Sequence, residues 1–461
     1  MKKVYFMAKL IGKKKYDVDM TEGSISRHIL SFSIPLLVGN LFQILYNTVD
    51  TLVVGNFASD AAFSAVGTVG PALNMMIAFA MGLGSGAGIV ISQYYGAKQY
   101  DNVSKAVHTT IVAGAVLGLI LSITGCLLLP TLLKFMNVPD EIYADARTYL
   151  LILYAAMIPP ALYNMGAGVL RAVGDSSRPF YFLLVSCVTN IILDLLFVIK
   201  FNWGVAGVAW ATTAAQTLSM VLVLITLLRS DACIKLIPKK LAIDKQILKK
   251  IIRVGIPSAI QMTITSFSNL FVQSYINAFG GSVMGGWTAY TKVGQFLQLP
   301  IQTLATALST FTGQNLGKGQ TERAKRSVVV TLYMSIGFCI GAGALVMLAA
   351  PTLSNIFNSN PEIIHYGTYV LRHIVPVYFR MAIYQTIAAA LRGAGNAKIP
   401  MFAMLGGGVV FRQVYLFVFS RIFPGNILPV TYAYPVGWAM AGLILVIYYK
   451  KADLGKTRLV D

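Results

Sequence analysis

Residues 35–55 read Pro-Leu-Leu-Val-Gly-Asn-Leu-Phe-Gln-Ile-Leu-Tyr-Asn-Thr-Val-Asp-Thr-Leu-Val-Val-Gly, an apolar run that carries a carboxylate, Asp50, inside it. A membrane-spanning helix needs roughly 20 mostly apolar residues, and this run supplies them. Asn40, Gln43, Asn47 and Asp50 follow one another at steps of three, four and three. On a helix that spacing collects all four on one stripe and leaves leucines and valines on the other side. A charge within a membrane helix costs on the order of 2.5 to 3.5 kcal/mol even on lenient insertion scales, so it normally faces a cavity or the bundle interior and marks an ion or substrate path. A structural Asp that only ties helices together is the bland alternative.

The rest of the chain extends the same reading. With 56% hydrophobic and 12% charged residues over 461 positions, the composition is that of a polytopic membrane protein. Twelve spans are expected, at 28–55, 63–92, 106–133, 146–170, 179–199, 205–228, 254–279, 286–313, 327–350, 365–391, 399–420 and 430–449. The fold class is therefore all-α, and no segment shows the ten-residue alternation of a membrane barrel.

A formal charge of +20 would suit a nucleic-acid partner, but the basic residues alternate by loop. With the N-terminus inside, 29 of the 37 lysines and arginines fall in segments on the cytoplasmic side. That is the positive-inside pattern of a plasma-membrane protein with both termini cytoplasmic, and it leaves no charge for nucleic acid to explain. Residues 1–27 lack the apolar core and cleavage site of a removable signal. Cys126, Cys187, Cys233 and Cys339 show no paired spacing, which argues against a disulfide framework or a zinc site.

The chain contains two copies of one unit. Shifted by about 221 residues, Ile34-Pro35 meets Ile256-Pro257, Gln93 and Gly96 meet Gln314 and Gly317, and Leu170-Arg171-Ala172-Val173-Gly174 meets Leu391-Arg392-Gly393-Ala394-Gly395. Six spans per copy is an even number, so both copies insert the same way round as parallel repeats. The expected organisation is a cytoplasmic segment 1–27, a six-helix lobe 28–228, a basic linker 229–253, a second six-helix lobe 254–450 and a cytoplasmic tail 451–461. An amphipathic surface helix is expected at 243–253, against anionic headgroups.

Of the seventeen acidic residues only Asp50 and Asp194 lie within spans. Asp194 follows Asn190 by four, which stacks the amide and carboxylate on one helical face. Their repeat counterparts are roughly Val272 and Tyr415, so the copies differ in chemistry. Gln261, Thr265, Asn269 and Gln273 form a neutral stripe in the seventh span, and Asn164 adds an amide to the fourth. Lys292, Arg380 and Arg412 are basic residues within spans with no second-lobe acid to meet. Gly82-Leu-Gly-Ser-Gly-Ala-Gly88 follows no strand and reads as close helix packing, not a phosphate loop. Pro159-Pro160 predicts a kink in the fourth span.

These features resemble the multidrug and toxic compound extrusion (MATE) family over residues 28–450: the two six-helix repeats, the early proline followed by Asp50, the Leu-Arg-x-x-Gly-Asp/Asn patches, and Asn190-x-x-x-Asp194. The resemblance implies two lobes that alternate access and export amphipathic, often cationic, organic compounds in exchange for H+ or Na+. It implies a first-lobe cation site at Asp50, Asn190, Asp194 and Thr212, where Na+ could be held by oxygen ligands. Some sodium-coupled members carry acids in the seventh and tenth spans; here the positions hold Gln261 and no tenth-span acid. The substrate-cavity residues expected are Asn40, Gln43, Asn47, Asn164, Gln261, Thr265, Asn269 and Arg412. No cofactor beyond the coupling ion is implied. The partners expected are small amphipathic substrates and membrane lipids, with the protein itself a monomer. A lipid-linked oligosaccharide flippase shares this broad architecture and would use Lys292, Arg380 and Arg412 for an anionic headgroup. No constellation for an intramembrane enzyme is present.

Overall fold

Pro35 does not end the first helix: the computed structural model runs α1 unbroken over Ile25–Phe57, and the same holds at Pro257 within a later helix, Lys245–Asn277. Each proline removes one backbone hydrogen bond, a loss that a long apolar helix tolerates. The structure describes residues 18–57 and 59–460, and within them the side chains of Tyr46, Asn47, Thr51, Asp60 and Leu270 are not described. Asn47 thus lies outside the described side chains.

All regular elements among the described residues are helical. After α1 come α2 (Asp60–Gly96), α3 (Tyr100–Phe135), α4 (Asp140–Ala155), α5 (Ile158–Ala172), α6 (Ser177–Asp194) and α7 (Gly204–Leu228). The second copy follows as α8 (Lys245–Asn277), α9 (Gly281–Gly317), α10 (Thr321–Phe357), α11 (Pro361–Ile374), α12 (Phe379–Gly393), the short α13 (Lys398–Ala403), α14 (Arg412–Ile422) and α15 (Leu428–Lys451). Eight helical segments are long and apolar enough to cross a membrane singly, and two bent pairs bring the number to 10. The remaining two of the twelve expected spans correspond to α8 and α9, of 33 and 37 residues, which are not among those segments.

The bent pairs sit at equivalent places in the two copies. α4 and α5 meet at 47°, just before Pro159-Pro160, and the segment Pro361–Val377 meets α12 at 48°, after Pro376. At the first bend Ser122 of α3 donates to the Ala155 carbonyl (3.1 Å), for which Pro159 has no N–H to offer, and accepts from the Met157 amide (3.2 Å), which also reaches the Tyr154 carbonyl at 3.3 Å.

Two compact units result, Met1–Glu22 with Val38–Ile256, and Gly23–Leu37 with Pro257–Asp461. α1 and α8 each change unit close to the repeated Ile-Pro pair. In the first unit Val53, Leu129, Leu150, Tyr154 and Val208 belong to the apolar core. Trp287, Tyr290, Tyr378, Leu416 and Trp438 do the same in the second. The glycine run in α2 is a packing surface: a Cβ on Gly84 would lie 2.7 Å from the Asn164 carbonyl, and one on Gly86 2.5 Å from Gly255. Among the described residues none of the four cysteines is in a disulfide.

The linker docks on the first unit, where Ile237 and Asp244 donate backbone N–H groups to His108 Nε2 and Thr109 Oγ1, both at 3.0 Å. No separate surface helix forms at 243–253. Asp244 Oδ1 caps the amides of Gln246 and Ile247 at 2.9 and 3.0 Å, and the helix that starts there continues straight into the seventh span.

The two Leu-Arg patches close on matching turns. Gly174 and Gly395 hold φ of +86° and +93°, a region a side chain disfavours. Each turn also receives a segment from outside the spans. Val18 donates its N–H to the Val173 carbonyl at 2.9 Å, and a Cβ on Gly395 would lie 2.6 Å from the Leu459 side chain.

Candidate functional site

α1 brings Asp50, and α6 brings Asn190 and Asp194, to one buried point of the first unit. Asn190 and Asp194 are fully buried and Asp50 is 9% exposed. The four-residue step along α6 stacks Asn190 under Asp194, and the amide nitrogen of Asn190, turned toward both carboxylates, donates to Asp50 Oδ1 at 2.7 Å and to Asp194 Oδ2 at 3.2 Å. One amide therefore bridges two acids contributed by different helices.

Among the described residues, Asp194 Oδ1 and the hydroxyls of Thr212 and Thr213 on α7 are buried without a hydrogen-bond partner. Thr212 is buried beside α6 but makes no hydrogen bond to the bridged trio, so the structure joins three of the four expected coupling residues and leaves the fourth as a free oxygen on the neighbouring helix. Past Asp194 the helix widens into a π-helical turn, Leu195–Lys200, a distortion often found at functional sites. Tyr149 of α4, buried in the same core, interacts electrostatically with both carboxylates. Nothing in the sequence distinguishes that tyrosine from others in an apolar span.

Next to the acid pair lies a cavity of about 140 Å³ within the first unit. Asn40, Gln43 and Asn164 line it, and so do Arg171, Ser186 and Gln216, which the sequence reading did not assign to a cavity. Ser186 and Asn190 are one turn apart on α6, so the cavity and the acid pair occupy successive levels of one bundle. Asn164 spends its amide on the Pro160 carbonyl at 2.8 Å, satisfying a group exposed near the bend.

In the second unit the remaining candidates are engaged with protein. Gln261 donates to the Tyr384 hydroxyl at 2.8 Å, and the Thr265 hydroxyl donates to the Gln261 carbonyl at 2.7 Å. Arg412, 2% exposed, donates to Ser268 Oγ at 2.5 Å and Asn269 Oδ1 at 3.1 Å and lies 4.8 Å from the centre of the Tyr434 ring. Neutral oxygens and a π face thus hold this cation, while its Nε has no partner. Arg380 lies 5.9 Å from the Phe379 ring centre. Ser268 and Tyr434 escaped the sequence reading because neither residue type is unusual in a span.

Comparison with known proteins places these features in a family context. The family model MatE matches twice, over residues 35–196 and 257–418, which are the two copies of the repeat. The Bacillus subtilis protein YoeA, described as a probable multidrug resistance protein, is 30% identical over 442 residues, covering 93% of this chain and 94% of that one. YpnP from the same organism, described in the same words, is 25% identical over 87% of this chain and 90% of its own. A solved structure of a multidrug resistance MATE family transporter in an outward-facing conformation superposes with a TM-score of 0.89 at 23% identity, covering 95% of this chain and 98% of that one. At that identity the superposition establishes the fold.

Proposed function

The chain belongs to the MATE family of membrane transporters, and from that premise we propose that it is a secondary active efflux antiporter. It exports amphipathic organic compounds by alternating access in exchange for H+ or Na+. The observation that carries this reading is the Asn190 amide bridging Asp50 and Asp194 in a fully buried place, with two further oxygens unengaged.

Two carboxylates held this close repel when both are charged, and little water is present to screen them. A proton shared by the pair removes the repulsion; so does a cation held between them. The hard-cation preference for oxygen ligands fits the second case, since Asp50, Asp194, the Asn190 amide oxygen after rotation and the Thr212 hydroxyl are all oxygen donors. Either ion therefore competes for one site, and the two acids titrate as a pair. Exchange follows when a conformational change alters which side of the membrane the pair can reach. The proposed orientation has both termini in the cytoplasm, as the distribution of basic loops requires.

The test is dye efflux from inverted vesicles under an imposed sodium gradient and then a proton gradient. Asp50→Asn and Asp194→Asn each keep the shape and remove the charge, and are expected to abolish efflux driven by either gradient with expression retained. Thr212→Ala and Asn190→Ala remove neutral ligands and are expected to weaken sodium-driven efflux while sparing proton-driven efflux at mildly acidic pH. Wild-type efflux by either Asn variant would overturn the assignment. Translocation of a lipid headgroup with no dye movement would instead select a flippase.

A further inference from the structure

The second copy keeps the layout of the acid site without its acids. At a shift of 222 residues Ile34-Pro35 falls on Ile256-Pro257 and Asp50 on Val272. In the eleventh span a π-helical turn, Met404–Phe411, takes up an extra residue ahead of α14. Beyond it Asn190 and Asp194 correspond to Arg412 and Leu416. Burial bears this out, since all four are buried, whereas Phe411 is exposed and Tyr415 only half-buried. The same shift carries the buried Val208, Ala211, Ala215 and Ser219 of α7 onto Val430, Ala433, Gly437 and Ala441 of α15, which are buried too, and sets Thr212 on Tyr434. The four expected coupling residues thus answer to Val272, Arg412, Leu416 and Tyr434.

Val272 and Leu416 belong to one apolar cluster, and Tyr434 packs against it. Where the first unit has two carboxylates and a hydroxyl near an amide, the second has two aliphatic side chains and an aromatic ring near a guanidinium. Arg412 also reaches the corresponding helices. From α14 it donates to Ser268 and Asn269 of α8 and stands over the Tyr434 ring of α15. These three helices are the repeat counterparts of α6, α1 and α7, which carry Asn190 with Asp194, Asp50 and Thr212. A cation held by those four residues would draw α1, α6 and α7 together. Arg412 does the same for their counterparts with a charge that never leaves. A buried guanidinium without a carboxylate partner is expensive, and an aliphatic side chain would suit the neighbourhood of Val272 and Leu416 at no such cost. The charge is explained by the helices it holds.

We propose that Arg412 is a tethered cation, a positioning residue that keeps α8, α14 and α15 in the arrangement the exchangeable ion gives α1, α6 and α7, so that the second unit does not respond to that ion. The inference rests on the transport reading for the exchangeable ion, while the tether is tested without transport.

Purified full-length protein in detergent is followed by hydrogen exchange and mass spectrometry, with sodium present or absent and at neutral or mildly acidic pH, after correction for the intrinsic rate. In the wild type, peptides of α6, α7 and the part of α1 after Val38 should change protection with sodium or pH; those of α14, α15 and the part of α8 after Pro257 should not. Arg412→Ala should speed exchange in this second set by about tenfold or more, the scale of a lost hydrogen bond to a charged group. Methylguanidinium, a free copy of the missing side-chain end, should restore the protection of Arg412→Ala and leave the wild type unchanged. Sodium at the same concentration should not restore it. Arg412→Lys keeps a charge with donors and should retain part of the protection, whereas Arg412→Met fills volume without charge and should exchange as fast as Arg412→Ala.

A second set that follows sodium or pH in the wild type, wild-type protection in Arg412→Met, or no restoration by methylguanidinium would each overturn the proposal. Should Arg412→Ala fail to fold, the Lys and Met variants and the wild-type response decide the matter. Dye efflux in vesicles separates the two levels. If the first set responds and dye is exported but methylguanidinium restores nothing, the transport reading stands and this one fails; if restoration holds while no dye moves on any gradient, the converse applies.

Discussion

Asp175 stands directly after the Gly174 turn and uses one carboxylate several ways. Its Oδ1 accepts from the amides of Ser177 and Arg178, each at 3.0 Å, and its Oδ2 pairs with the Arg178 guanidinium. Asn396 stands at the equivalent place in the second copy, accepting from the Ile399 amide at 3.4 Å and donating to the Tyr448 hydroxyl at 2.9 Å. Asp175→Ala is therefore expected to cost about 1 kcal/mol by loss of a cap, and Asp175→Asn appreciably less, because the amide oxygen still accepts. Burial pushes the Asp175 carboxyl up, opposed by Arg178. A raised folded-state value means that its contribution to stability is full below the unfolded pKa and is lost as pH rises through the folded one. That part of the pH dependence should vanish in Asp175→Asn, as thermal unfolding across acidic and neutral pH would measure. Asp50 and Asp194 were legible in the sequence because a complete audit of a few acids isolates those that lie in spans. Arg171 was not, since an arginine after the fourth span satisfies the loop-charge pattern and its place in the cavity wall shows only in the structure.

At the scale of helices, prolines announced the bend between α4 and α5, and the structure puts 47° there. What makes the bend tolerable was invisible. Ser122 lies in a different helix, amid residues that read as lipid-facing or packing, and nothing about its position indicates that it meets both the Ala155 carbonyl and the Met157 amide. Ser122→Ala removes one oxygen and leaves the Ala155 carbonyl without a donor, while the Met157 amide keeps the Tyr154 carbonyl at 3.3 Å. A loss of about 1 kcal/mol is the expected scale, with solvent access near the bend reducing it. Chemical denaturation of the solubilised protein would read this, and a change below about 0.5 kcal/mol, the range of surface substitutions, would mean that water replaces the hydroxyl. Helix α8 shows the opposite limit. Its polar stripe was legible as residues, yet it is not among the segments apolar enough to cross a membrane singly.

Over the whole molecule, one duplicated plan carries two chemistries. The first unit holds the bridged acids and the open cavity; in the second, Gln261 is tied to Tyr384 and Arg412 is held by neutral partners. Gln261→Ala should consequently change which dyes are exported more than how efflux depends on the gradient, checked by comparing a panel of dyes under each ion gradient. Uncoupling without a shift in specificity would contradict this division of roles. The duplication itself was legible because glycine, proline and arginine mark turns at matching positions, and the loss of the acids at Val272 and Tyr415 was legible with it, whereas the tie between Gln261 and Tyr384 hung on side chains as alike as Asn40 and Gln261. The paired turns have one more consequence. Since Val18 is hydrogen-bonded beside Gly174, and Leu459 packs on Gly395, the segment before α1 and the segment after α15 are each moored to one repeat. Spin labels at Val18 and Arg458 would therefore behave as rulers fixed to the two repeats, and pulsed dipolar spectroscopy could time the transport cycle from outside the helical bundle without touching the acid pair.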